Sequence, residues 1–231
     1  MAALLTLDKL AKTFHLYEAE QTIEACQNIS FEVQPGEFVG ITGKSGSGKS
    51  TILKCIYRTN LASSGSIVYD SAAFGPVEIT TLEERKMLHI RRYEIAYISQ
   101  FLSVLPRQSA KQIVVDSAKD AYEEKSEQEE AAIEMLKHFE IAEHLWNVFP
   151  NTFSGGEKLR LNIAAAMVKH PRFLLLDEPT ASLDNASKVK VRELIEKLKS
   201  EGTTMLGIFH DLEFMEGLCD KEFNMQKGSF V

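Results

Sequence analysis

The stretch GKSGSGKST, residues 43–51, constrains this chain more than any other. It fits the pattern G-x-x-x-x-G-K-[ST], with Gly43, Gly48, Lys49 and Ser50 in the defined positions, Lys44, Ser45, Gly46 and Ser47 between them, and Thr51 after. Such a loop wraps backbone N–H groups closely around a polyphosphate, which its glycines permit because they lack a Cβ. A helix opening where the loop ends adds its N-terminal amides and positive dipole end, aimed at the same anion. Lys49 is placed to reach the terminal phosphates, and the Ser50 hydroxyl to bind Mg²⁺. The flanks agree. Residues 37–42 are rich in β-formers, and Ile52, Leu53 and Ile56 form a helical stripe afterwards.

The remainder of the chain supplies the alternation that a strand–loop–helix unit requires. Ile29, Phe31 and Val33 alternate with Ser30, Glu32 and Gln34, so residues 3–35 read as antiparallel strands, with a loop at 17–21. Residues 66–69 and 74–79 read as further strands. Thr80 and Thr81, each followed three residues on by Glu83 and Glu84, predict a capping box and a helix through Arg85 to about Arg92. A strand over 94–99 then delivers Gln100. From there to about Phe153 the chain turns helical and acidic. The five glutamates between Tyr122 and Glu130 read as a solvated helix face, with Ile133, Leu136 and Phe139 behind it. The C-terminal third alternates strand (173–176), helix (185–201) and strand (203–209), the pattern of a parallel sheet with crossover helices.

Length and composition limit what such a chain does. At 231 residues and 44% hydrophobic it can bury the core of one large α/β domain or of two small ones. A net charge of −7 argues against a nucleic-acid protein working through a broadly basic face. No apolar run approaches the ~20 residues of a membrane span, and the N-terminus lacks a signal-peptide pattern. Cys26, Cys55 and Cys219 are scattered without metal-site spacing, so three buried thiols in a reducing cytoplasm are expected.

Mg²⁺ chemistry on a phosphate loop needs a carboxylate from a second strand. The apolar run 173–176 followed by Asp177-Glu178 supplies it at a strand's carboxyl end, where parallel α/β sheets place their ligands. Asp177 is suited to hold Mg²⁺ through water, and Glu178, facing the other way, to orient or deprotonate a water.

These features occur in a set. Phe153-Ser-Gly-Gly-Glu157 precedes the Asp-Glu strand, Ser182-Leu-Asp184 follows it, His210 closes the next strand, and Gln100 ends an earlier one. In this order the set resembles the ATP-binding cassette ATPase family over essentially the whole chain. The resemblance implies a P-loop (RecA-like) α/β fold: a parallel-sheet core with an antiparallel β subdomain (1–100 and 160–231) and a helical signature subdomain (101–159), in one domain of 231 residues. It implies ATP and Mg²⁺ as ligands, with Gln100 touching the metal or attacking water, Glu178 as catalytic base, and His210 as the switch at the γ-phosphate. Ser154, Gly155 and Gly156 become the signature that caps ATP on an opposite subunit, accompanied by Asp184. Phe14 falls where an aromatic stacks on adenine, with Tyr17 a weaker choice. Without the family, Ser-Gly-Gly is simply a helix N-cap, and Phe14 equally a core residue. Because signature and phosphate loop serve different subunits, a head-to-tail dimer follows, with itself or another cassette ATPase. The chain departs from the family in Phe153 and Glu157, where Leu and Gln are commonest, and in Ala165, usually Arg.

Within the family, residues 100–110, 153–157, 180–184 and 207–211 and the pair Leu145-Trp146 resemble the L component of the bacterial carbon–phosphorus lyase system. That resemblance implies soluble companions in phosphonate breakdown, at the step coupling a phosphonate to the ribose of a nucleoside triphosphate. The alternatives are the motor of an exporter or lipoprotein-release transporter, whose ATPases share a similar stretch after Gln100, and an ATP-dependent clamp with little turnover. A cytoplasmic location, no nucleic-acid partner and no room for a C-terminal regulatory domain complete the expectations.

Overall fold

The computed structural model describes residues 2–16, 21–99, 107–181, 183–210 and 212–231. Two sheets are present among them. The first is antiparallel, in the order β2-β1-β4-β5. It contains β1 (Leu5–Leu16), β2 (Gln21–Val33), β4 (Ser64–Ser71) and β5 (Gly75–Glu78). In β2 the side chains of Ile29, Phe31 and Val33 are buried and those of Ser30 and Glu32 exposed, as the period of two requires.

The second sheet has the order β10-β9-β3-β8-β7-β6. Its strands are β3 (Phe38–Gly43), β6 (Ile95–Ile98), β7 (Phe173–Asp177), β8 (Thr204–Ile208), β9 (Lys221–Gln226) and β10 (Ser229–Phe230). Every pairing in it is parallel except β9 with β10. Parallel strands covered on both faces read as unbroken apolar runs, and β7 is one. Its Phe173 and Leu175 join Ile52, Leu53 and Ile56 in one core, while Leu174 and Leu176 join Leu161, Ile163, Leu194 and Ile195 in a second. The sheet thus separates two cores, each sealed by a different set of elements.

Helix α1 (Lys49–Ile56) follows β3 and packs into the core shared with the antiparallel sheet. Helices α3 (Ala110–Ala118), α4 (Lys125–His138) and α5 (Gly155–Met167) pack on one another. In α4, Ala131, Ala132 and Leu136 are buried, while the five glutamates from Glu123 to Glu130 are exposed. Helix α5 continues through residue 159, the expected edge of the helical region, toward α6 (Asn185–Ser200). The remaining helices are α2 (Glu84–Tyr93) and the short α7 (Leu212–Met215).

Three details differ from the sequence reading. Helix α2 starts at Glu84 with Glu83 as its N-cap and no side-chain cap. The Thr80 hydroxyl is engaged elsewhere, donating to Glu78 Oε1 at 2.7 Å, so the threonines do not form the expected capping box. Gln21 belongs to β2, not to the loop before it. Cys26 and Cys55 are buried but Cys219 is only partly so. Burial pushes all three thiols up, Cys26 to about 11 and the others to about 12, leaving them protonated and unreactive at neutral pH.

Candidate functional site

The phosphate loop joins β3 to α1 and lies against two strands. Gly48 is the N-cap of α1, with φ of 99° and no side chain to cap the helix. The Thr51 N–H donates to the Gly48 carbonyl at 3.0 Å, and no side-chain cap competes with a ligand for the N-terminal end of the helix. A Cβ on Gly48 would lie 1.8 Å from the Ala25 carbonyl oxygen of β2, and one on Gly43 2.3 Å from that of Met225 in β9. Only glycine fits at either place. Lys49 is 3% exposed. Its Nζ donates to the carbonyls of Gly43 (2.8 Å) and Lys44 (3.0 Å), tying the lysine into the loop it serves. Burial draws its pKa below the usual lysine range, an effect opposed by the Glu178 and Asp177 carboxylates.

Those carboxylates stand at the end of β7 and diverge. Asp177 Oδ1 accepts from the Ser50 hydroxyl at 2.7 Å, and its Oδ2 accepts from the Tyr97 phenol on β6. Burial and the neighbouring Asp177 carboxylate raise the Tyr97 phenol well above the ordinary tyrosine range, so it acts as a donor. Glu178 has a left-handed backbone (φ 53°), a conformation that costs a non-glycine residue free energy and turns the chain out of the strand. Its N–H still donates to the Ile208 carbonyl (3.1 Å), while its Oε1 accepts from His210 Nε2 at 2.6 Å. His210 follows β8, which lies between β3 and β7 in the sheet.

A hydroxyl and a carboxylate oxygen 2.7 Å apart form a hard oxygen pair suited to Mg²⁺, an ion that takes most of its ligands from water and substrate phosphates. The residues present therefore fit the expected metal. Beside the loop opens a cavity of about 620 Å³, lined by residues 43–47, His210 and residues 224–227. The wall from β9 and the turn after it, and the Tyr97 contact, were not foreseen from sequence. No local pattern marks either, because both depend on which strands lie side by side.

The signature residues gather elsewhere. Ser154 is the N-cap of α5, its Oγ accepting from Glu157 N at 3.3 Å while Glu157 Oε2 accepts from Ser154 N at 2.7 Å. The Ser154 amide holds the Glu157 carboxyl below the usual glutamate range. Gly155 begins the helix, and a Cβ on Gly156 would lie 3.1 Å from Ser187 Oγ on α6. Asp184 is the N-cap of α6 and accepts from Ser187 N at 2.8 Å, which lowers its pKa. Ser154, Gly156, Glu157 and Ser187 border a small cavity whose lining shares no residue with that of the larger one.

The expected site residues thus fall into two groups. Gly43, Lys44, Ser45, Gly46, Ser47, Gly48, Lys49, Ser50 and Thr51 belong with Asp177, Glu178 and His210; Ser154, Gly155 and Gly156 belong with Asp184. Phe14 stands apart from both cavities' linings, partly buried in β1 opposite Ile23, with Lys12 Nζ 4.9 Å from its ring centroid. Gln100, Tyr17 and Ser182 lie outside the described residues.

Comparison with known proteins matches residues 26–181 to the ABC transporter family. A proposed peptide import ATP-binding protein of Brucella ovis is 35% identical over 99% of this chain and 71% of its own length. The macrolide export ATP-binding/permease protein MacB of Campylobacter jejuni is 36% identical over 80% of this chain and 28% of its own. Among solved structures, the ATP-binding cassette MJ0796, a dimer in a post-hydrolysis state with ADP and Pi, matches with a TM-score of 0.86. It is 28% identical, covering 98% of this chain and 96% of that one. The parallel core, the antiparallel sheet and the phosphate loop are accordingly those of a P-loop cassette ATPase. This chain belongs to the ABC transporter ATPase family.

Proposed function

We propose that this chain is the ATP-hydrolysing subunit of a membrane transporter, binding MgATP between two cassettes set head to tail. The observation that carries the dimer is the separation of the two residue groups. The signature amides at the start of α5 belong to a cavity distinct from that of the phosphate loop, so they serve a nucleotide held by another subunit. The transporter role draws on the relatives, whose names tie their ATP-binding parts to import and export.

In this reading the loop amides, the open end of α1 and Lys49 hold the phosphates. Ser50 and Asp177 would hold Mg²⁺, which would supply charge neutralisation to the phosphates. Glu178 takes a proton from the attacking water, and His210, hydrogen-bonded to it, keeps the carboxylate aimed. Gln100 is assigned to the same water or metal and Phe14 to the adenine. Ser154, Gly155, Gly156 and Asp184 of the second cassette close over the γ-phosphate, bringing a second helix dipole to the developing charge. Residues 101–159 form the unit that presents the signature, and the chain works at the cytoplasmic side.

A second reading, a soluble subunit of a carbon–phosphorus lyase complex, is favoured by the motif stretches at 100–110, 153–157, 180–184 and 207–211. The transporter relatives rank it below the first. Affinity purification of the native complex separates the two. Co-purification of membrane permease subunits is expected; recovery of soluble phosphonate-processing proteins alone, with loss of growth on methylphosphonate when the chain is deleted, would overturn the transporter reading.

A further inference from the structure

We propose that Tyr97 is a positioning residue for the metal-binding carboxylate: by holding one oxygen of Asp177 it presents the other to the ion. The proposal rests on the reading of Ser50 and Asp177 as Mg²⁺ ligands. A carboxylate at the end of a strand is otherwise free to turn about its last bond, and an ion bound through one oxygen does not stop it. Here both oxygens are occupied from opposite partners. The Ser50 hydroxyl donates to Oδ1 across 127 residues of sequence and the Tyr97 phenol to Oδ2 across 80. With Mg²⁺ held by Ser50 and Asp177, the Ser50 hydroxyl would offer a lone pair in place of its donation, leaving Oδ1 available directly or through water, while Tyr97 would keep Oδ2 fixed.

The phenol is itself braced. Its ring packs against that of Tyr57, with centroids 5.1 Å apart and planes tilted by 38°. Tyr57 is the C-cap of α1, the same helix that carries Ser50. The Arg91 guanidinium of α2 lies 5.2 Å from the Tyr57 ring centroid, and its Nε and Nη2 donate to the carbonyls of Tyr57 (2.7 Å) and Arg58 (2.5 Å). Tyr97 of β6 is thus held between Asp177 of β7 and the Tyr57 ring at the end of α1, with Arg91 of α2 bracing Tyr57. A tyrosine needed only to fill space would make the same ring contacts without aiming its O–H at the carboxylate. Groups that orient a metal ligand from behind are worth about tenfold or more in metal affinity.

The test uses Mn²⁺ as the probe, titrated by electron paramagnetic resonance into the ATP-bound full chain carrying Glu178→Gln to stop turnover. Adding Tyr97→Phe, which keeps the ring and removes the donor, is expected to weaken Mn²⁺ binding about tenfold. Metal-free ATP affinity and the thermal midpoint should stay close to those of the parent. In the otherwise native chain, Tyr97→Phe should raise the Mg²⁺ concentration for half-maximal ATPase while kcat at saturating Mg²⁺ stays close to normal. Unchanged Mn²⁺ affinity in Tyr97→Phe overturns the proposal, whatever happens to the thermal midpoint. Asp177→Asn run alongside distinguishes the two levels. If it weakens Mn²⁺ and Tyr97→Phe does not, only the positioning role fails. If neither weakens it, the metal-site reading fails as well.

Discussion

At the scale of single residues, the end of β7 shows how two adjacent acids acquire different tasks. Asp177 is the last residue of the strand and meets Ser50 and Tyr97; Glu178, in a left-handed conformation, leaves the strand and meets His210. In the proposed roles, His210 engages one oxygen of the base Glu178, whereas Ser50 and Tyr97 engage both oxygens of the metal ligand Asp177. Glu178→Gln keeps the shape and the His210 contact but removes the basicity. Its ATP affinity should match the native chain while steady-state turnover falls by about 10²–10⁴. Hydrolysis by this variant at the native rate would remove Glu178 from the catalytic role. The same scale exposes a limit of motif reading. Gly48 is legible from sequence as part of a pattern, yet the reason it is irreplaceable, the Ala25 carbonyl 1.8 Å from any Cβ, comes from a strand more than twenty residues earlier.

Among the elements, α5 carries the signature, and its start is a capping box. Glu157, which stands where the family more often has Gln, folds back onto the Ser154 amide. Its negative charge is thereby spent on the first turn of its own helix, where the dipole favours it. The folded carboxyl titrates below its unfolded value of about 4.5, so its stabilisation is present above that pH and is lost as pH falls through the folded value. Glu157→Ala should therefore destabilise the chain by about 0.5–1 kcal/mol near neutrality. Urea unfolding at a series of pH values should show that difference shrinking as pH falls below about 4.5. A difference constant across that range would mean the ionised carboxylate is not what caps the helix.

For the whole molecule, the proposed head-to-tail dimer makes the phosphate loop and the signature each half of a site. That arrangement makes a prediction no single-chain site would share. Lys49→Ala removes the proposed phosphate contact, and Gly155→Asp puts a carboxylate on the exposed first residue of α5, where the proposed dimer brings the γ-phosphate of a second subunit. Each variant alone should have little ATPase activity. Mixed and allowed to exchange, they form dimers in which one native loop faces one native signature. Activity well above the sum of the separate variants is then expected in a coupled ATPase assay. Mixing that recovers nothing would favour two sites each complete within one chain.

Sequence alone determined the local parts of this protein: the loop at 43–51, the apolar strand ending in Asp177 and Glu178, the helix cap at Ser154, and the alternation of strand and helix. Each depends on neighbours within a few residues, where propensity, spacing and capping act directly. Tertiary structure decided what those parts face. In the sheet order β9-β3-β8-β7-β6, β3 lies beside the last long strand, so residues 224–227 wall the cavity; β6 lies beside β7, so Tyr97 reaches Asp177. One local signal, the Thr80–Glu83 pattern, lost to another local contact, the Thr80 hydroxyl donating to Glu78 two residues back. Strand neighbours are chosen by which apolar faces bury best over the entire chain, and that choice leaves no mark on the short stretches it brings together.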